Sequence, residues 1–587
     1  MRWAVVRASL SLAIVVAAVA GWTAAAVLQF SGTALGHFQW VSRDYPWMSP
    51  MAFGAVLVPL GGILGLLGAR VRAVSWRAWS LGALVIVAAF GLLLPVTQLS
   101  RVASLVLAIG MGTVLARLAA PRMKRVERAA VRGAPVVVAV VLAMALGLPR
   151  WRDWRSARAI AAQPAPSRAA PHVLLVVWDA ARARDVGFVS PAAGTTPHLD
   201  QWASQGAVFT HAFSVGPWTL PSHASMLSGR YASELAADWT VPIEREHPVL
   251  PEILGRAGYA TGAFVANLHY TAWDSGLERG FHHVDDYERS VAQAIRSSPW
   301  TQTNLADTLL RTPWRPPLGA LLHPDLSIVR QHRYQARLGG EMVDAYLAWR
   351  QGITGRPTFG LVNLMDPHLK TSADTATRRR YPHDERGLDD YRQAMRYLDG
   401  EMDRLLGALA ADGSLDSTLI ILTADHGELL GEHGLHGHAQ SLYRDVVHVP
   451  LFLRLPGRVP ATRVTRAVSL RDLAATILDL AGFSAELPGQ SLRVTWESGT
   501  ARTSPAFATA RQQPSPLGDY PTAHGDLSGS FDDQWSYIIN HGTGREELFR
   551  LDAAGAESGN LADDPASAAH LRRLRALTED SRHRFRR

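Results

Sequence analysis

The first 150 residues contain apolar stretches that decide how this part of the chain can fold. A helix needs about 20 predominantly apolar residues to cross the hydrocarbon core of a bilayer. The pattern predicts about five transmembrane helices in residues 1–150, of which the fourth is short for a span but has an arginine at each end. The apolar stretches are Ala8–Phe30, Met51–Ala69, Ala78–Ser100, Val102–Ala116 and Gly133–Pro149.

Basic residues are concentrated in the same region. Residues 1–150 hold 14 arginines and lysines against two acids, Asp44 and Glu127, whereas the rest of the chain holds 45 basic and 49 acidic residues. The pI near 9.9 therefore reflects arginine-rich membrane loops and not a nucleic-acid-binding surface. Because such loops stay in the cytoplasm, the sequence predicts a multi-pass protein of the cell or inner membrane. Its N-terminus is expected in the cytoplasm and residues 171–587 outside it.

The chain contains no cysteine. This composition is compatible with an oxidising compartment and excludes disulfides, a thiolate nucleophile and cysteine-ligated zinc. Any metal ion must be held by oxygen and imidazole ligands.

The remainder of the chain has the pattern of an α/β protein. Residues 151–171, "WRDWRSARAIAAQPAPSRAAP", are polar and rich in Ala and Pro, which is typical of a juxtamembrane linker. From His172 onward, short apolar runs alternate with helical patterns, which predicts a largely parallel sheet flanked by helices. We expect a catalytic domain over 172–500 and a C-terminal subdomain over 501–587 that completes the same fold.

Three of the predicted strands end in aspartate, at Asp179, Asp366 and Asp425. Ligands of open α/β sheets bind at the carboxyl ends of the strands, so we expect these three acids to converge on one crevice. The alternative for each residue alone is a helix or turn cap.

The stretch "TADHGELLGEHGLHGH", 423–438, follows the last of these strands. It combines Asp425 and His426 with two further acids and three further histidines. Oxygen and imidazole donors at this density suit one divalent ion, Zn²⁺ or Mn²⁺ before Ca²⁺ or Mg²⁺, although not all four histidines can be ligands. The alternative is a solvated polar loop. His448, by contrast, interrupts an apolar strand and is interpreted as a satisfied core histidine.

A third segment, "PWTLPSHASMLSGRY", begins with a helix start. Pro221 fits the first turn of a helix, which places Thr219 just before the helix N-terminus. Unpaired backbone N–H groups there favour an anionic ester and stabilise an alkoxide. The alternative is that Thr219 is a simple N-cap.

Taken together, these segments resemble the sulfatase family of the alkaline-phosphatase superfamily, from His172 to about Leu561. The resemblance implies a metal ion held by Asp179, Asp425 and His426, with Thr219 both contacting the metal and attacking sulfur or phosphorus. It is carried by "HVLLVVWDAARARDVG", "TPHLDQWASQGAVFTHAFS", "TLPSHASMLSGRY", "LVNLMDPH", "LTADHGELLGEHGLHGH" and "ELFRLDAAGAESGNLADDP".

The chain also departs from the family pattern. Thr219 stands where sulfatases carry the Cys or Ser that becomes formylglycine, and His223 stands at the arginine of that signature. Ala180 replaces the usual second acid, and the Gly-Lys-Trp-His element is absent, which leaves Asn267 as the polar candidate. Formylglycine is made from Cys or Ser, so a mechanism through a hydrated aldehyde is excluded at Thr219.

The resemblance implies roles for three further histidines. His368 and His438 would steady the non-bridging oxygens or the leaving group, and His223 would add a hydrogen bond. The alternative for all three is a structural or surface histidine.

We therefore expect a membrane-anchored, metal-dependent enzyme that cleaves or transfers a phosphate or sulfate ester through a threonine nucleophile. Superfamily branches that use threonine act on phosphodiesters, and some of them also have several N-terminal spans, so a phosphodiester is favoured. The alternatives are a true sulfatase and an inactive anchored module that binds anions. The expected partners are the bilayer and an anionic ester such as a lipid headgroup or cell-surface glycan, with no nucleic acid. The choice between hydrolysis and transfer stays open.

Overall fold

The chain divides into two compact units. The computed structural model describes residues 2–35, 38–71, 74–96, 99–164, 170–239, 241–298, 300, 336–369, 388–484, 487–497, 505–513, 520–551, 557 and 559–585. Unit 1 comprises Met1–Ser156 and Tyr287–Tyr334, and unit 2 comprises Ala157–Asp286 and Gln335–Arg587. The chain thus leaves unit 2 after Asp286, contributes to unit 1 and returns, so residues 287–334 group apart from the domain expected over 172–500.

Unit 1 is helical. Among its described residues, four helical stretches are long and apolar enough to cross a membrane, judged by length and composition: Trp3–Gly32, Tyr45–Val71, Trp76–Leu93 and Arg101–Ala161. The fourth and fifth predicted spans lie together on the last stretch, which a 3-10 turn at Ala120–Arg122 divides. The helices are α1 (Arg2–Leu35), α2 (Tyr45–Val71), α3 (Val74–Leu93), α4 (Arg101–Ala119) and α5 (Met123–Ala161). Because α5 continues to Ala161, the first half of the predicted linker is helical.

Small residues allow close packing inside unit 1. A Cβ atom built on Gly61 of α2 would lie 2.5 Å from the Cβ of Ala13 in α1, so the two helices approach closely there, as membrane helices do at small side chains. The second segment of unit 1, which follows Asp286, adds helix α9 (Val291–Arg296), and this helix contacts α2. Beyond it, the ring of Trp300 lies 5.5 Å from that of Phe53.

Both acids of the first 150 residues form ion pairs within this unit. Glu127 Oε2 lies 2.9 Å from Arg77 Nη1, and the buried Asp44 pairs with Arg152. Charged groups in an apolar environment are stable only when they are paired, so these pairs are the expected arrangement.

Unit 2 contains the predicted sheet. Nine of the described strands form it in the order β10-β2-β9-β6-β1-β5-β3-β4, with β11 also paired to β2. All pairs are parallel except those of β9, which runs antiparallel to β2 and β6. The strands are β1 (His172–Trp178), β2 (Ala207–Phe213), β3 (Ala260–Val265), β4 (His283–Asp285), β5 (Thr358–Leu364), β6 (Thr418–Ala424), β9 (His448–Arg454), β10 (Thr462–Val464) and β11 (Val468–Ser469).

Helices flank this sheet, and the predicted α/β fold is confirmed. Residues 173–178 of β1 are entirely buried, as expected for a central parallel strand covered on both faces. A two-residue pair, β7 (Leu429–Leu430) with β8 (His436–Gly437), folds the loop after β6. The helices are α6 (Pro197–Ala203), α7 (Thr219–Ser228), α8 (Leu250–Arg256), α10 (Gly339–Gln351), α11 (Asp366–Leu369), α12 (Leu388–Ala411), α13 (Arg444–Val447), α14 (Leu473–Ala481) and α15 (Val494–Glu497).

The C-terminal part forms a smaller antiparallel sheet. Its strands, in spatial order, are β12 (Ala506–Ala510), β13 (Leu527–Phe531), β14 (Trp535–Asn540) and β15 (Glu546–Arg550). Helix α16 (Ala568–Arg584) covers this sheet through Leu574 and through a hydrogen bond of 2.7 Å between Thr578 Oγ1 and Ser530 Oγ.

Candidate active site

Two carboxylates and one imidazole meet at the carboxyl edge of the large sheet. Strands β1 and β6 are neighbours in a register that pairs Trp178 with Ala424, so the next residues, Asp179 and Asp425, emerge side by side. His426 follows directly. One ligand atom from each of these three buried residues lies within 4.8 Å of the others.

The donor atoms of this trio fit a divalent cation. Asp179 Oδ1 and Asp425 Oδ2 are buried and have no hydrogen-bond partner within the described residues, and each lies 3.6 Å from His426 Nε2. The His426 Nδ1 lies 2.8 Å from the Gly427 carbonyl oxygen, so Nδ1 carries the proton and the Nε2 lone pair faces the carboxylates. Unpaired buried carboxylate oxygens are costly without a compensating positive charge.

Burial and neighbouring charges shift the pKa values of the three residues. Burial and the neighbouring charge of Asp179 raise the pKa of the Asp425 carboxyl well above its ordinary value. Burial and the nearby His438 lower the pKa of His426 to about 3, so its imidazole is neutral. Burial raises the pKa of Asp179, but His368, His426 and the hydrogen bond from Asn267 outweigh burial and hold that pKa below its ordinary value.

Thr219 lies against this trio. Its Oγ1 is 3.4 Å from His426 Nε2 and 3.5 Å from Asp179 Oδ2, and the residue is 2% exposed. Helix α7 begins at Thr219 itself, with Trp218 as N-cap, one residue earlier than predicted. The helix can start there because the first four N–H groups have no partner within the helix, so Pro221 in the first turn costs no hydrogen bond.

Asn267 occupies the position that the sequence left as a polar candidate. Its Nδ2 donates to Asp179 Oδ2 at 2.8 Å and to Thr219 Oγ1 at 3.3 Å. Its Oδ1 accepts from the backbone N–H groups of His269 and Tyr270, which determines the orientation of the amide. The amide N–H groups therefore face the threonine oxygen.

His223 is fully buried and contacts both Thr219 and the trio. Its Nδ1 is 3.0 Å from the Thr219 carbonyl oxygen and 3.5 Å from Asp425 Oδ2, and its Nε2 is 3.5 Å from Asn363 Nδ2. Burial lowers its pKa. Both ring nitrogens face protein groups, so this arrangement makes His223 a support for the first turn of α7.

Two further histidines complete the cluster. The His438 ring lies 4.3 Å from that of His426 and 4.8 Å from that of His368. Glu428 Oε1 lies 3.2 Å from His438 Nδ1 and orients this ring. The structure thus brings His368 and His438 to the trio.

The remaining polar residues of 423–438 lie elsewhere. The ring of His433 stacks on that of Tyr443 at 3.7 Å, and Glu432 pairs with Arg182 at 2.8 Å. Nε2 of His448, outside this loop, lies 2.8 Å from the Thr210 carbonyl oxygen, which matches its interpretation as a satisfied core histidine.

The expectation that Asp366 joins the other two acids is wrong. Its Oδ2 accepts from the Gly339 N–H at 2.9 Å, at the first residue of α10, and Asp366 is absent from the trio. Unpaired N–H groups at a helix start attract a carboxylate, so the cap alternative holds for this residue. Burial raises its pKa to about 7.

Two site features were not predicted. Ala180 has a left-handed backbone with φ 64°, and its N–H donates to Asp425 Oδ1 at 3.2 Å. A left-handed conformation costs an alanine roughly 1–2 kcal/mol, and nothing in the local sequence predicts it. Asn363 lies within β5, where its Oδ1 accepts from the Asn267 N–H at 3.0 Å. The only signal for Asn363 was a polar residue in the apolar run "LVNLM".

Comparisons with known proteins agree with this geometry. A family model described as Sulfatase matches residues 171–483, more than half of the chain. Arylsulfatase K from Bos taurus is 28% identical over 379 residues, covering 59% of this chain and 68% of that protein. Choline-sulfatase from Rhizobium meliloti (strain 1021) is 25% identical over 430 residues, covering 65% of this chain and 80% of that protein.

A solved structure shows the same fold. The phosphonate monoester hydrolase from Silicibacter pomeroyi is similar with a TM-score of 0.51 at 22% identity, covering 71% of this chain and 96% of that chain. The region matched by the family model contains the trio, Thr219 and Asn267. The chain belongs to the sulfatase family and is a sulfatase-family hydrolase.

Proposed function

We propose that the chain is a membrane-anchored phosphodiesterase that attacks its substrate with the unmodified hydroxyl of Thr219. The observation that carries the proposal is the position of Thr219 Oγ1, within 3.5 Å of both Asp179 Oδ2 and His426 Nε2. A side chain that served only as a helix cap would bond the N–H groups of its own first turn, whereas the hydrogen bonds of the Thr219 hydroxyl go to the side chains of Asp179, His426 and Asn267.

The surrounding residues favour ionisation of this hydroxyl. The Thr219 hydroxyl donates to Asp179 Oδ2 at 3.5 Å, so a carboxylate oxygen lies within reach of the proton that Thr219 loses. The Asn267 amide donates to the threonine oxygen and stabilises the negative charge that develops there. A divalent cation held by Asp179, Asp425 and His426 would act as a Lewis acid at this hydroxyl and at the transferring group.

Thr219 then bonds to phosphorus in line with the departing alkoxide, which takes a proton and leaves. His368 and His438 are partly exposed and lie against the trio; in this mechanism they hydrogen-bond the non-bridging oxygens or protonate the leaving oxygen. Glu428 keeps Nδ1 of His438 protonated and turns the other ring nitrogen toward the substrate.

Release of the covalent ester requires a second attack at the same central atom. Threonine has no geminal hydroxyl, so the ester cannot break down by elimination as a hydrated aldehyde can. Water, or an acceptor alcohol, therefore displaces Thr219 from phosphorus. The branches of the superfamily that share this nucleophile act on phosphodiesters, which favours phosphorus over sulfur.

Sulfate-ester hydrolysis is the second candidate. The relatives named above are an arylsulfatase and a choline-sulfatase, and the same trio would serve a sulfate ester. An assay of both ester classes is therefore part of the test.

The arginine-rich loops support placing the catalytic domain outside the cytoplasm. A reporter that is active only after export, fused after Ala170, should be active. Activity of a cytoplasm-only reporter at the same position would reverse this topology.

The nucleophile is tested in the full-length protein in detergent, with bis(4-nitrophenyl) phosphate, 4-nitrophenyl phosphate and 4-nitrophenyl sulfate as substrates. Thr219→Ala should lower turnover by at least about 10³-fold, and Thr219→Ser should keep part of it. Thr210→Ala, at a half-buried threonine of β2 away from the site, is the matched control.

The covalent step has its own readout. Mass analysis of protein quenched during diester turnover should find nitrophenyl phosphate on the peptide that contains Thr219. Full activity of Thr219→Ala would refute the nucleophile. A sulfate adduct on this peptide, without turnover of any phosphate ester, would show that the enzyme acts on sulfate esters and not on phosphate esters.

A further inference from the structure

Ala180, which directly follows Asp179 of the trio, has a strained backbone. Its φ of 64° lies in the left-handed region, where the Cβ atom of an L-amino acid comes too close to the following carbonyl oxygen. Strain of this kind persists only where the surrounding structure holds it in place, and it is concentrated at functional sites. The groups that hold Ala180 in this conformation therefore bear on the site.

One hydroxyl on a distant helix holds this loop. Oη of Tyr391, in the first turn of α12, donates to the Ala180 carbonyl oxygen at 2.8 Å and accepts from the Arg182 N–H at 2.8 Å. A phenol hydroxyl has one proton and two lone pairs, so it makes both bonds at once. Burial raises the pKa of Tyr391, so the hydroxyl keeps the proton that it donates. The backbone on both sides of Ala181 is thus tied to α12.

The sequence of α12 determines where this hydroxyl lies. Tyr391 is completely buried, as are Ala394, Met395 and Leu398 after it. Residues three and four positions apart lie on the same face of a helix, so this spacing turns Tyr391 toward the interior of unit 2. The guanidinium carbon of Arg182 lies 5.3 Å from the centroid of the Tyr391 ring and covers it from the side of the loop.

The conformation of Ala180 has a direct effect on one acid of the trio. It directs the Ala180 N–H to Asp425 Oδ1 at 3.2 Å, and the same oxygen accepts from the His426 N–H at 2.9 Å. Because two N–H groups hold Oδ1, the carboxylate has a fixed orientation. Its other oxygen, Oδ2, then lies 3.6 Å from His426 Nε2, where it is available to a cation.

We propose that Tyr391 is a positioning residue of the cation site and acts through Ala180. Its hydroxyl keeps Ala180 left-handed, and the Ala180 N–H in turn orients the Asp425 carboxylate for the ion. Without the hydroxyl, the loop relaxes toward an unstrained backbone, so ion binding has to restore the strain. The inference rests on the cation site of the proposed function, but not on Thr219 as the nucleophile or on the class of ester.

The test is metal affinity in the absence of substrate. Mn²⁺, and in parallel Zn²⁺, is titrated into the metal-free full-length protein in detergent, and calorimetry gives the dissociation constant. Tyr391→Phe keeps the ring and should weaken binding by about tenfold or more, the usual effect of removing a group that orients a metal ligand.

Tyr259→Phe is the matched control. It removes an equally buried hydroxyl, which donates to the Pro171 carbonyl oxygen at 3.0 Å. Both residues directly precede strands, β3 and β1, so this bond lies at the amino edge of the sheet, opposite the trio. The variant should bind the metal ion as the wild-type protein does.

Rescue by a second substitution separates positioning from packing. Glycine adopts a left-handed backbone without strain, so Ala180→Gly should restore most of the affinity that Tyr391→Phe loses. Ala181→Gly, at a buried alanine whose φ lies outside that region, should restore none. The double-mutant cycle between Ala180 and Tyr391 measures this coupling.

Thermal unfolding shows which variants are folded. If Tyr391→Phe does not fold, folding itself becomes the readout, which Ala180→Gly should restore and Ala181→Gly should not. Unchanged affinity in Tyr391→Phe, failure of Ala180→Gly to rescue it, or equal rescue by Ala181→Gly would make Tyr391 a packing residue and overturn the proposal. Wild-type protein that binds neither ion would remove the cation site as well, whereas turnover that survives Thr219→Ala would remove the nucleophile alone.

Discussion

The two units distribute apolar side chains in opposite ways. Among the described residues, the large apolar side chains that are strongly exposed lie in unit 1, such as Val102 at 72% and Leu118 at 65%, with Val241 as the exception in unit 2. In unit 2 the apolar strands are buried, and Asp179 and Asp425 are fully buried at their ends. Apolar side chains on the outside suit contact with lipid, whereas unit 2 is arranged for water.

The comparison also separates two kinds of buried charge. Asp44 of unit 1 is paired with Arg152, and Arg182 of unit 2 is paired with Asp185 and Glu432. Asp179 and Asp425 each keep a buried oxygen without a hydrogen-bond partner in the described part of the chain. Paired charges of this kind support the fold, whereas two neighbouring carboxylates with such oxygens are a candidate site for a cation.

The largest expected effect comes from removing one acid of the trio. Asp425→Asn keeps the shape but removes the charge, so we expect binding of a divalent ion to be lost and turnover to fall by on the order of 10³-fold. Metal content per protein, together with turnover, measures both effects.

Asp399→Asn is the control for this change. Asp399 is also buried in unit 2, but its carboxylate accepts from the backbone N–H groups of His198 and Leu199. This variant should keep its metal. Retention of stoichiometric metal in Asp425→Asn would place the cation elsewhere.

A buried acid outside the trio should make unit 2 sensitive to pH. Asp366 ionises near 3.8 when exposed, but burial raises its pKa to about 7 in the folded protein. The unfolded chain therefore loses this proton first, and the free energy of unfolding should fall as pH rises from about 4 through 7. Between pH 5 and 8 the loss should be on the order of 2–3 kcal/mol.

Asp366→Asn should remove this loss, because the amide does not titrate and still offers an oxygen to the Gly339 N–H. Unfolding of both proteins at several pH values gives the difference. An identical pH slope in the two proteins would contradict the assignment.

A smaller effect is expected from the close packing of unit 1. Gly61→Ala places a methyl group 2.5 Å from the Cβ of Ala13, so α1 and α2 must shift apart, at a cost of about 1–2 kcal/mol. Thermal unfolding in detergent should show a lowered midpoint.

Gly54→Ala tests the same helix without the contact, since a Cβ atom at Gly54 meets nothing within 4 Å. It should be neutral or stabilising because alanine favours helix. Equal midpoints for the two variants would show that the small residues do not determine the packing of these helices.

The sequence alone predicted the α/β sheet and the membrane-type region, because both depend on local hydrophobic patterns. Strand ends marked Asp179, Asp425 and His426, and a helix start marked Thr219, but it was the resemblance to the sulfatase family that joined the four residues in one candidate site. Asp366 shows the limit of this reasoning: a strand-end aspartate either faces the crevice or caps a helix, and local sequence does not distinguish the two.

Residue types and their spacing determined which groups this chain brings to the carboxyl edge of its sheet, and the absence of cysteine excluded a thiolate nucleophile. Only the tertiary structure decided the rest. The register of β1 against β6 sets Asp179 beside Asp425, and Asn363 of β5 accepts from the backbone N–H of Asn267, which follows β3. These contacts join residues far apart in the chain, so they depend on how the strands and helices pack and leave no local pattern.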